Sequence, residues 1–421
     1  MNNEKRHIPA GYKSSPLGII PEDWEVKRLG EIFSFKNGIN ANKDSYGEGI
    51  KFVNTMDVLN NNYISSESLR GKVNINDKTK NEFLVSIGDV LFNRTSETRE
   101  EVGCSAVYKD SEEAVFGGFI IRAHDIKSST LDLLYKGYCF QPSYIRNQIS
   151  ALGNGAIRYN LGQEDLSRVN LLIPPLPEQR RIVSVLSLWD TAISKQTALI
   201  EKLTIRKKGL MQQLLTGKKK LKGFEGEWKE VRLGDVASIN RGGSPRPIED
   251  YITDGDGYNW IKIGDVGVDA KYITRTEEKI IKEGLSKTRF VKSGDFILSN
   301  SMSFGRPYIL KIDGCIHDGW LVIQEYDKTF NIDFLYYILG YDTTLAQYKS
   351  MAAGSGVLNL NKEIVKEVML KTPSIDEQKA IATILVESDK EIELANKKLT
   401  RLQEEKKGLM QVLLTGKKRV K

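Results

Sequence analysis

The chain contains itself twice. Lys207-Lys208-Gly209-Leu210-Met211-Gln212-Gln213-Leu214-Leu215-Thr216-Gly217-Lys218-Lys219 returns as Lys406-Lys407-Gly408-Leu409-Met410-Gln411-Val412-Leu413-Leu414-Thr415-Gly416-Lys417-Lys418, identical at 12 of 13 positions with an offset of 199. The same offset runs back without a gap to Pro174 and Pro373. It pairs Glu178-Gln179 with Glu377-Gln378, Ile182 with Ile381, Leu186 with Leu385, and Asp190 with Asp389. A duplication of this kind limits the fold to two similar units.

Upstream the match is weaker and its offset drifts. Trp24, Arg28-Leu29-Gly30 and Gly88-Asp89 correspond to Trp228, Arg232-Leu233-Gly234 and Gly294-Asp295, and Gly153-Asn154-Gly155 corresponds to Gly354-Ser355-Gly356. Loops therefore differ in length between the copies. The expected organisation is an arm over residues 1–22, a globular half over 23–173, a helical segment over 174–222, a second globular half over 223–372 and a second helical segment over 373–421. Diverged halves with well-preserved helices imply that the helices do one job twice, while the halves act on different objects.

The helical segments carry a heptad seam. Ile182, Leu186, Trp189, Ile193, Ile200, Leu203, Leu210 and Leu214 alternate at spacings of four and three, or their sum, and Ile381, Leu385, Ile392, Leu399, Leu402, Leu409 and Leu413 repeat the pattern. Gln196, Lys207, Ser388 and Lys406 also fall on the seam. Such polar positions set register, or they mark contact with another subunit. Prolines precede each run and Thr-Gly closes it, as helix starts and stops require. Because a whole globular half separates the two helices, the chain has room to return antiparallel. The fold class expected is α+β: two pseudo-symmetric mixed α/β domains joined by two long helices that form an antiparallel coiled coil, a rod of roughly 50 Å.

Within the halves, Ile50–Val53, Asp89–Phe92, Phe119–Arg122, Trp260–Ile263, Asp295–Ser299 and Trp320–Gln324 read as strands. Residues 132–140, 142–151, 332–339 and 344–351 read as helices. Long polar stretches lie between them, over residues 36–49, 93–103, 241–257 and 300–307, and loops on a repeated scaffold are where recognition varies. No phosphate-cradling Gly-Lys loop or dinucleotide fingerprint is present. The three histidines, His7, His124 and His317, are scattered, and Cys315-x-His317 lacks the further soft ligands of a metal site. Three scattered cysteines and the lack of an apolar leader or spanning run lead to the expectation of a cytoplasmic protein.

Two diverged domains, each beginning with Trp…Arg-Leu-Gly and followed by a helix that opens with Pro-x-x-x-Glu-Gln and closes with Lys-Lys-Gly-Leu-Met-Gln-x-Leu-Leu-Thr-Gly-Lys, resemble the specificity subunit of type I restriction-modification enzymes. The resemblance covers nearly the whole chain. It implies two target recognition domains on double-stranded DNA, an asymmetric bipartite target with one half-site per domain, and helices that set the unread spacer. It implies no catalysis by this chain and no cofactor of its own. The partners implied are two modification subunits that methylate adenine with S-adenosylmethionine and two restriction subunits that use ATP and Mg. The alternatives from other classes are a self-contained DNA methyltransferase or nuclease, and a coiled-coil adaptor protein.

Direct readout of the major groove favours Arg, Lys, Asn and Gln, with Ser and Thr as lesser readers. The DNA-binding candidates in the first half are Asn93, Arg94, Thr95, Ser96, Arg99, Arg158 and Tyr159. In the second half they are Arg241, Ser244, Arg246, Asn300, Ser303, Arg306 and Asn359. The net charge of +7 is concentrated: residues 202–222 carry +8 and residues 406–421 carry +6, with no acidic residue in either stretch. These clusters are expected to meet phosphates or partner subunits.

Overall fold

A computed structural model describes residues 8–127, 130–155, 157–267, 270–300, 304–352 and 360–420. The chain divides into two compact units, residues 1–197 with 398–421 and residues 198–397. Each unit thus gathers one globular half, part of the long helix that follows it, and part of the other long helix.

The two halves carry one topology. In the first, a five-stranded sheet runs Phe33–Asn37, Ile120–Asp125, Val90–Asn93, Ser105–Tyr108, Tyr63–Ile64. In the second, the order is Ser238–Arg241, Trp320–Gln324, Phe296–Ser299, Pro307–Leu310, Tyr272–Ile273. Antiparallel neighbours fill both sheets except at the last strand, which pairs parallel in each. A second sheet accompanies the first in each half and has diverged, with three strands in the first half and five in the second. Every strand expected from the sequence overlaps an observed strand; Trp320–Gln324 matches at both ends, and the other edges shift by at most four residues. Helices occupy Lys136–Cys139, Ser143–Leu152, Ile332–Leu339 and Asp342–Ala352, within the expected stretches to a residue or two. The expected strands do not include the local hairpin of Tyr12–Ser15 with Gly18–Pro21, and only non-local contact could reveal the pairing of Glu25–Arg28 with Asn170–Ile173.

Both long helices span 39 residues, Leu176–Leu214 and Ile375–Leu413. Their stops are alike. Gly217 and Gly416 take φ of 69° and 71°, a region that costs glycine nothing. Lys219 N–H donates to the Gln213 carbonyl at 3.1 Å, as Lys418 N–H does to Val412 at 3.1 Å. These bonds, closing six residues back, satisfy carbonyls that the helix end would leave bare.

Within each unit the helix segments run antiparallel. In the first unit, Ile182 and Leu186 share a core with Met410, Leu413 and Leu414. In the second, Leu214 and Leu215 share a core with Ile381, Ala382 and Leu385. Each globular half is therefore completed by the end of the other helix. Full burial of each such aliphatic side chain stabilises by about 1.5–3 kcal/mol. Of the remaining seam residues, Trp189, Ile193, Ile200, Leu203, Leu210, Ile392, Leu399, Leu402 and Leu409 are half-buried.

The polar seam positions are paired. Lys406 Nζ meets Asp190 at 2.5 Å and lies 5.4 Å from the Tyr138 ring centre, while the Tyr138 hydroxyl donates to Asp190 at 2.6 Å. In the second unit Lys207 pairs with Asp389 and lies 5.7 Å from the Tyr337 ring centre, and the Tyr337 hydroxyl donates to Asp389 at 2.5 Å. Burial is the first cause, and the carboxylate partner the second, that pushes both tyrosines well above their ordinary range. The preserved glutamines act as brackets. Gln179 accepts from Asp132 N–H at 2.8 Å and donates to Thr130 and Pro174 carbonyls; Gln378 accepts from Asn331 N–H at 2.8 Å and donates to Thr329 and Pro373 carbonyls.

Part of the concentrated charge thus has an internal use. Lys207, Lys406, Arg206 (with Glu391) and Arg419 (with Glu178 and Asp23) form ion pairs, while Lys202, Lys208, Lys218, Lys219, Lys222, Lys407, Lys417 and Lys418 lie exposed. No described helix is long and apolar enough to cross a membrane.

Candidate nucleic-acid interface

Three loops converge at one end of each five-stranded sheet. In the first half they lead from Gly38, from Arg94 and through Gly117–Phe119. Arg94 N–H donates to the Phe119 carbonyl at 2.7 Å, Gly38 N–H to Ile120 at 3.2 Å, and Gly118 N–H to Ile39 at 2.8 Å. A Cβ on Gly38 would stand 2.2 Å from the Gly117 carbonyl oxygen, so only glycine fits this approach. The result is a rigid turn that presents Phe119, 58% exposed, beside Arg94.

The loop after Arg94 folds back on itself. Thr95–Ser96 pairs with Tyr159–Asn160, and the Thr95 hydroxyl donates to Asn160 Oδ1 at 2.7 Å. Arg99 lies over the Tyr159 ring at 4.9 Å, and Arg146 donates to the carbonyls of Glu100 and Val102 at 2.9 and 2.7 Å. Exposed Arg158 stands 3.8 Å from Glu97. All seven candidates of the first half thus lie on or against one folded loop. Two of the seven are turned inward. Asn93 is fully buried and donates to the Glu101 carbonyl at 3.0 Å, and Ser96 is buried against the Glu101 carboxylate. An Asn at a strand end looks the same in sequence whether it points out or in, and here the sheet faces it inward.

In the second half, Gly242–Ser244 after Arg241, and Asn300 at the end of its strand, meet the turn of His317–Gly319. Gly242 N–H donates to Trp320 at 2.9 Å and Gly243 N–H to Ile316 at 3.1 Å; a Cβ on Gly242 would come within 2.1 Å of the His317 carbonyl. The candidates gather about a residue not singled out from sequence, Asp318. Its Oδ1 accepts from the Ser244 hydroxyl at 2.8 Å. Its carbonyl accepts from Arg241 Nε and from Asn300 Nδ2, both at 2.9 Å. Its Oδ2 lies 3.6 Å from Arg246 and 4.0 Å from Arg241. The Ser244 hydroxyl is the main cause holding the Asp318 carboxyl below its usual range. Beside this cluster opens a recess of about 560 Å³, with Trp260 and Ile263 in its wall and Arg246, Lys262 and His317 around it. Arg306 lies over the Tyr308 ring at 5.8 Å, and Ser303 and Asn359 lie outside the described residues. Cys315 is buried, the His317 ring accepts the Gly319 N–H at 2.7 Å, and no cluster of metal-ligating side chains occurs among the described residues.

The two turns are equivalent. Asn93 pairs across the sheet with Ile120, as Ser299 does with Trp320. Arg94 therefore stands where Asn300 stands. Arg94 Nη1 donates to the Gly118 carbonyl at 3.3 Å, as Asn300 Nδ2 does to Asp318. One scaffold presents two different sets of hydrogen-bonding and apolar groups at the same place.

The family model for the type I restriction modification DNA specificity domain matches residues 21–204 and again residues 225–404. The chain belongs to the type I restriction-modification DNA specificity family. Its part in that family is DNA recognition by two target recognition domains, and it is not the catalytic subunit. It is 25% identical to the type I restriction enzyme MjaVIII specificity subunit of Methanocaldococcus jannaschii, over 96% of this chain and 94% of that protein. It is 24% identical to the EcoKI specificity subunit of Escherichia coli over 48% of this chain and 43% of that one. Among solved structures, the S subunit of M. genitalium matches the fold with a TM-score of 0.52 at 16% identity, covering 93% of this chain and 96% of that one. A chain from a structure of type I complex assembly and conformational transition matches with a TM-score of 0.64 at 19% identity, covering 94% and 99%.

Proposed function

We propose that this specificity subunit reads an asymmetric, bipartite sequence in double-stranded DNA, one half-site per lobe. The functional division that goes with this is recognition by residues 23–173 and 223–372, and spacing and assembly by 174–222 and 373–421. The observation that carries the reading is the pair of equivalent turns: an identical sheet order supports Arg94 and Phe119 in one lobe and Asn300 and Asp318 in the other. Different groups at one place on one scaffold read different bases. Arg94, Thr95, Arg99, Arg158 and Tyr159 face the first half-site. Arg241, Ser244, Arg246, Asn300 and Arg306 face the second, with Ser303 and Asn359 assigned to it by their sequence position. Asn93 and Ser96 hold the loop rather than touch bases.

The helices set the spacer, since ~34 Å of duplex, ~10 base pairs, returns two readers to the same groove face. The assembled complex includes two modification subunits that bind S-adenosylmethionine and methylate adenine, and two restriction subunits that hold ATP and Mg, in the cytoplasm. This chain binds none of those cofactors. Exposed Lys218 and Lys219, near the end of the first helix, meet phosphate, so neutralising them flattens the salt dependence of DNA binding.

The deciding experiment maps methylated adenines genome-wide with and without this protein. A bipartite motif that vanishes on deletion establishes the reading; an unchanged map rejects it. Exchanging residues 23–173 for those of another family member changes one half-site only. Removing four residues from one helix changes the spacer and leaves both half-sites intact.

A further inference from the structure

Asp318 is an acid at the centre of a surface otherwise built from DNA-seeking groups, and its placement is stiff. The Ser244 hydroxyl fixes Oδ1 at 2.8 Å, and the Asp318 backbone is held from both sides through the Asn300 and Arg241 side chains. Among the described residues, Oδ2 has only the two long ion pairs, 3.6 Å to Arg246 and 4.0 Å to Arg241. Those guanidinium groups are exposed, and pairs of that kind contribute between nothing and about 1 kcal/mol. Arg246 and the Nη groups of Arg241 are thus cheaply released to another acceptor, while Arg241 Nε stays on the Asp318 carbonyl and the carboxylate stays where it is. The equivalent residue in the first lobe, Gly118, offers no side chain at all.

A fixed carboxylate on a DNA-facing surface is repelled by phosphate and gains only where it meets a donor. In the major groove the donors are the exocyclic amino groups of cytosine and adenine. Adenine carries the N7 acceptor beside its amino group, which repels a carboxylate and suits Asn or Gln instead. Cytosine offers the amino group without that neighbour, and its guanine partner presents O6 and N7 to an arginine on the same groove edge. The carboxylate and the adjoining Arg241 and Arg246 together fit a C·G pair.

We propose that Asp318 is a specificity-determining residue of the second lobe, whose Oδ2 accepts a hydrogen bond from the N4 amino group of a cytosine while the neighbouring arginines engage the paired guanine. The inference rests on the DNA-reading function proposed above. It gives the acid two effects of opposite sign: it favours one base pair and disfavours every duplex that lacks it.

The test uses the full chain assembled with its modification subunits. The wild-type complex first yields its motif from the methylated-adenine map; absence of any bipartite motif overturns the functional reading itself, before a variant is made. D318N then relaxes one C·G position of the second half-site, cuts discrimination there about tenfold, and leaves the first half-site unchanged. The same variant binds an unrelated duplex more tightly at low salt, because a repelled charge is gone. S244A keeps the charge but frees the carboxylate, and relaxes the same position less. It also serves if D318N does not assemble. A second half-site without cytosine on either strand overturns the inference. So does a D318N complex with an unchanged motif, or with equal loss at both half-sites.

Discussion

The two lobes agree where they meet the helices and differ at the opposite end of the sheet. Gln179 and Gln378 make the same three bonds, and Asp190 and Asp389 hold the same lysine and tyrosine. At the sheet ends Phe119 faces solvent in one lobe, and a carboxylate gathers two arginines and a serine in the other. A polar bracket tolerates no change, because each partner lost leaves a buried group unpaired. A loop tip tolerates almost any change that keeps the turn. The preserved and the diverged residues in the repeat follow that division.

One inner contact breaks the symmetry. In the first unit the Trp24 indole donates to Glu178 at 2.9 Å, and Arg419 reaches both Glu178 and Asp23 at 2.6–2.9 Å. The counterparts in the second unit are Trp228, Glu377 and Lys220. Lys220 turns instead to the carbonyls of Glu225 and Gly226, and the Trp228 Nε1 and Glu377 Oε1 atoms lie buried without a hydrogen-bond partner among the described residues. The first lobe therefore leans on the chain's last residues more than the second leans on residue 220.

Four measurements press on this comparison. The largest effect belongs to the tail. Ending the chain at residue 408 removes Met410, Leu413 and Leu414 from the first lobe's core, at about 2–5 kcal/mol for each buried aliphatic side chain. Hydrogen exchange then shows the first lobe opening while the second stays protected; equal loss in both refutes the exchange of helix ends. Next, R419A leaves buried Glu178 with the Trp24 indole but without its paired cation, costing the first lobe about 3–5 kcal/mol, whereas K220A costs the second no more than about 1 kcal/mol. Denaturant melts of the two variants give the comparison directly.

Third, Y138F and Y337F each cost about 1.5–3 kcal/mol, the worth of a hydrogen bond to a charged group, in their own lobes and to the same extent. A marked inequality in exchange protection contradicts the equivalence of the two sites. The smallest effect lies at the reading surface. F119A removes an apolar contact suited to a thymine methyl, about 0.8 kcal/mol or roughly fourfold in affinity. Replacing one thymine of the first half-site by deoxyuridine costs wild type that amount, and costs F119A nothing further.

Some of this molecule is local in origin and was legible from residue order. The heptad seams and the Thr-Gly stops depend on neighbours within a few turns, so periodicity predicts both long helices, and the globular half between them leaves room for their antiparallel return. The same locality marked the candidate loops, and with them most of the residues at each tip. Other features exist only once distant segments meet. Lys207 and Lys406 look like flaws in a seam until Asp389 and Asp190 arrive from the other helix with Tyr337 and Tyr138 behind them. Asn93 reads as an outward donor until the sheet turns it inward. Asp318 is an unremarked acid between a histidine and a glycine until three loops close around it. Sequence determined which segments repeat and how each coils, because those depend on local spacing. Tertiary structure alone decided which polar groups are paired and which are offered to DNA, because pairing is a property of surfaces brought together from far along the chain.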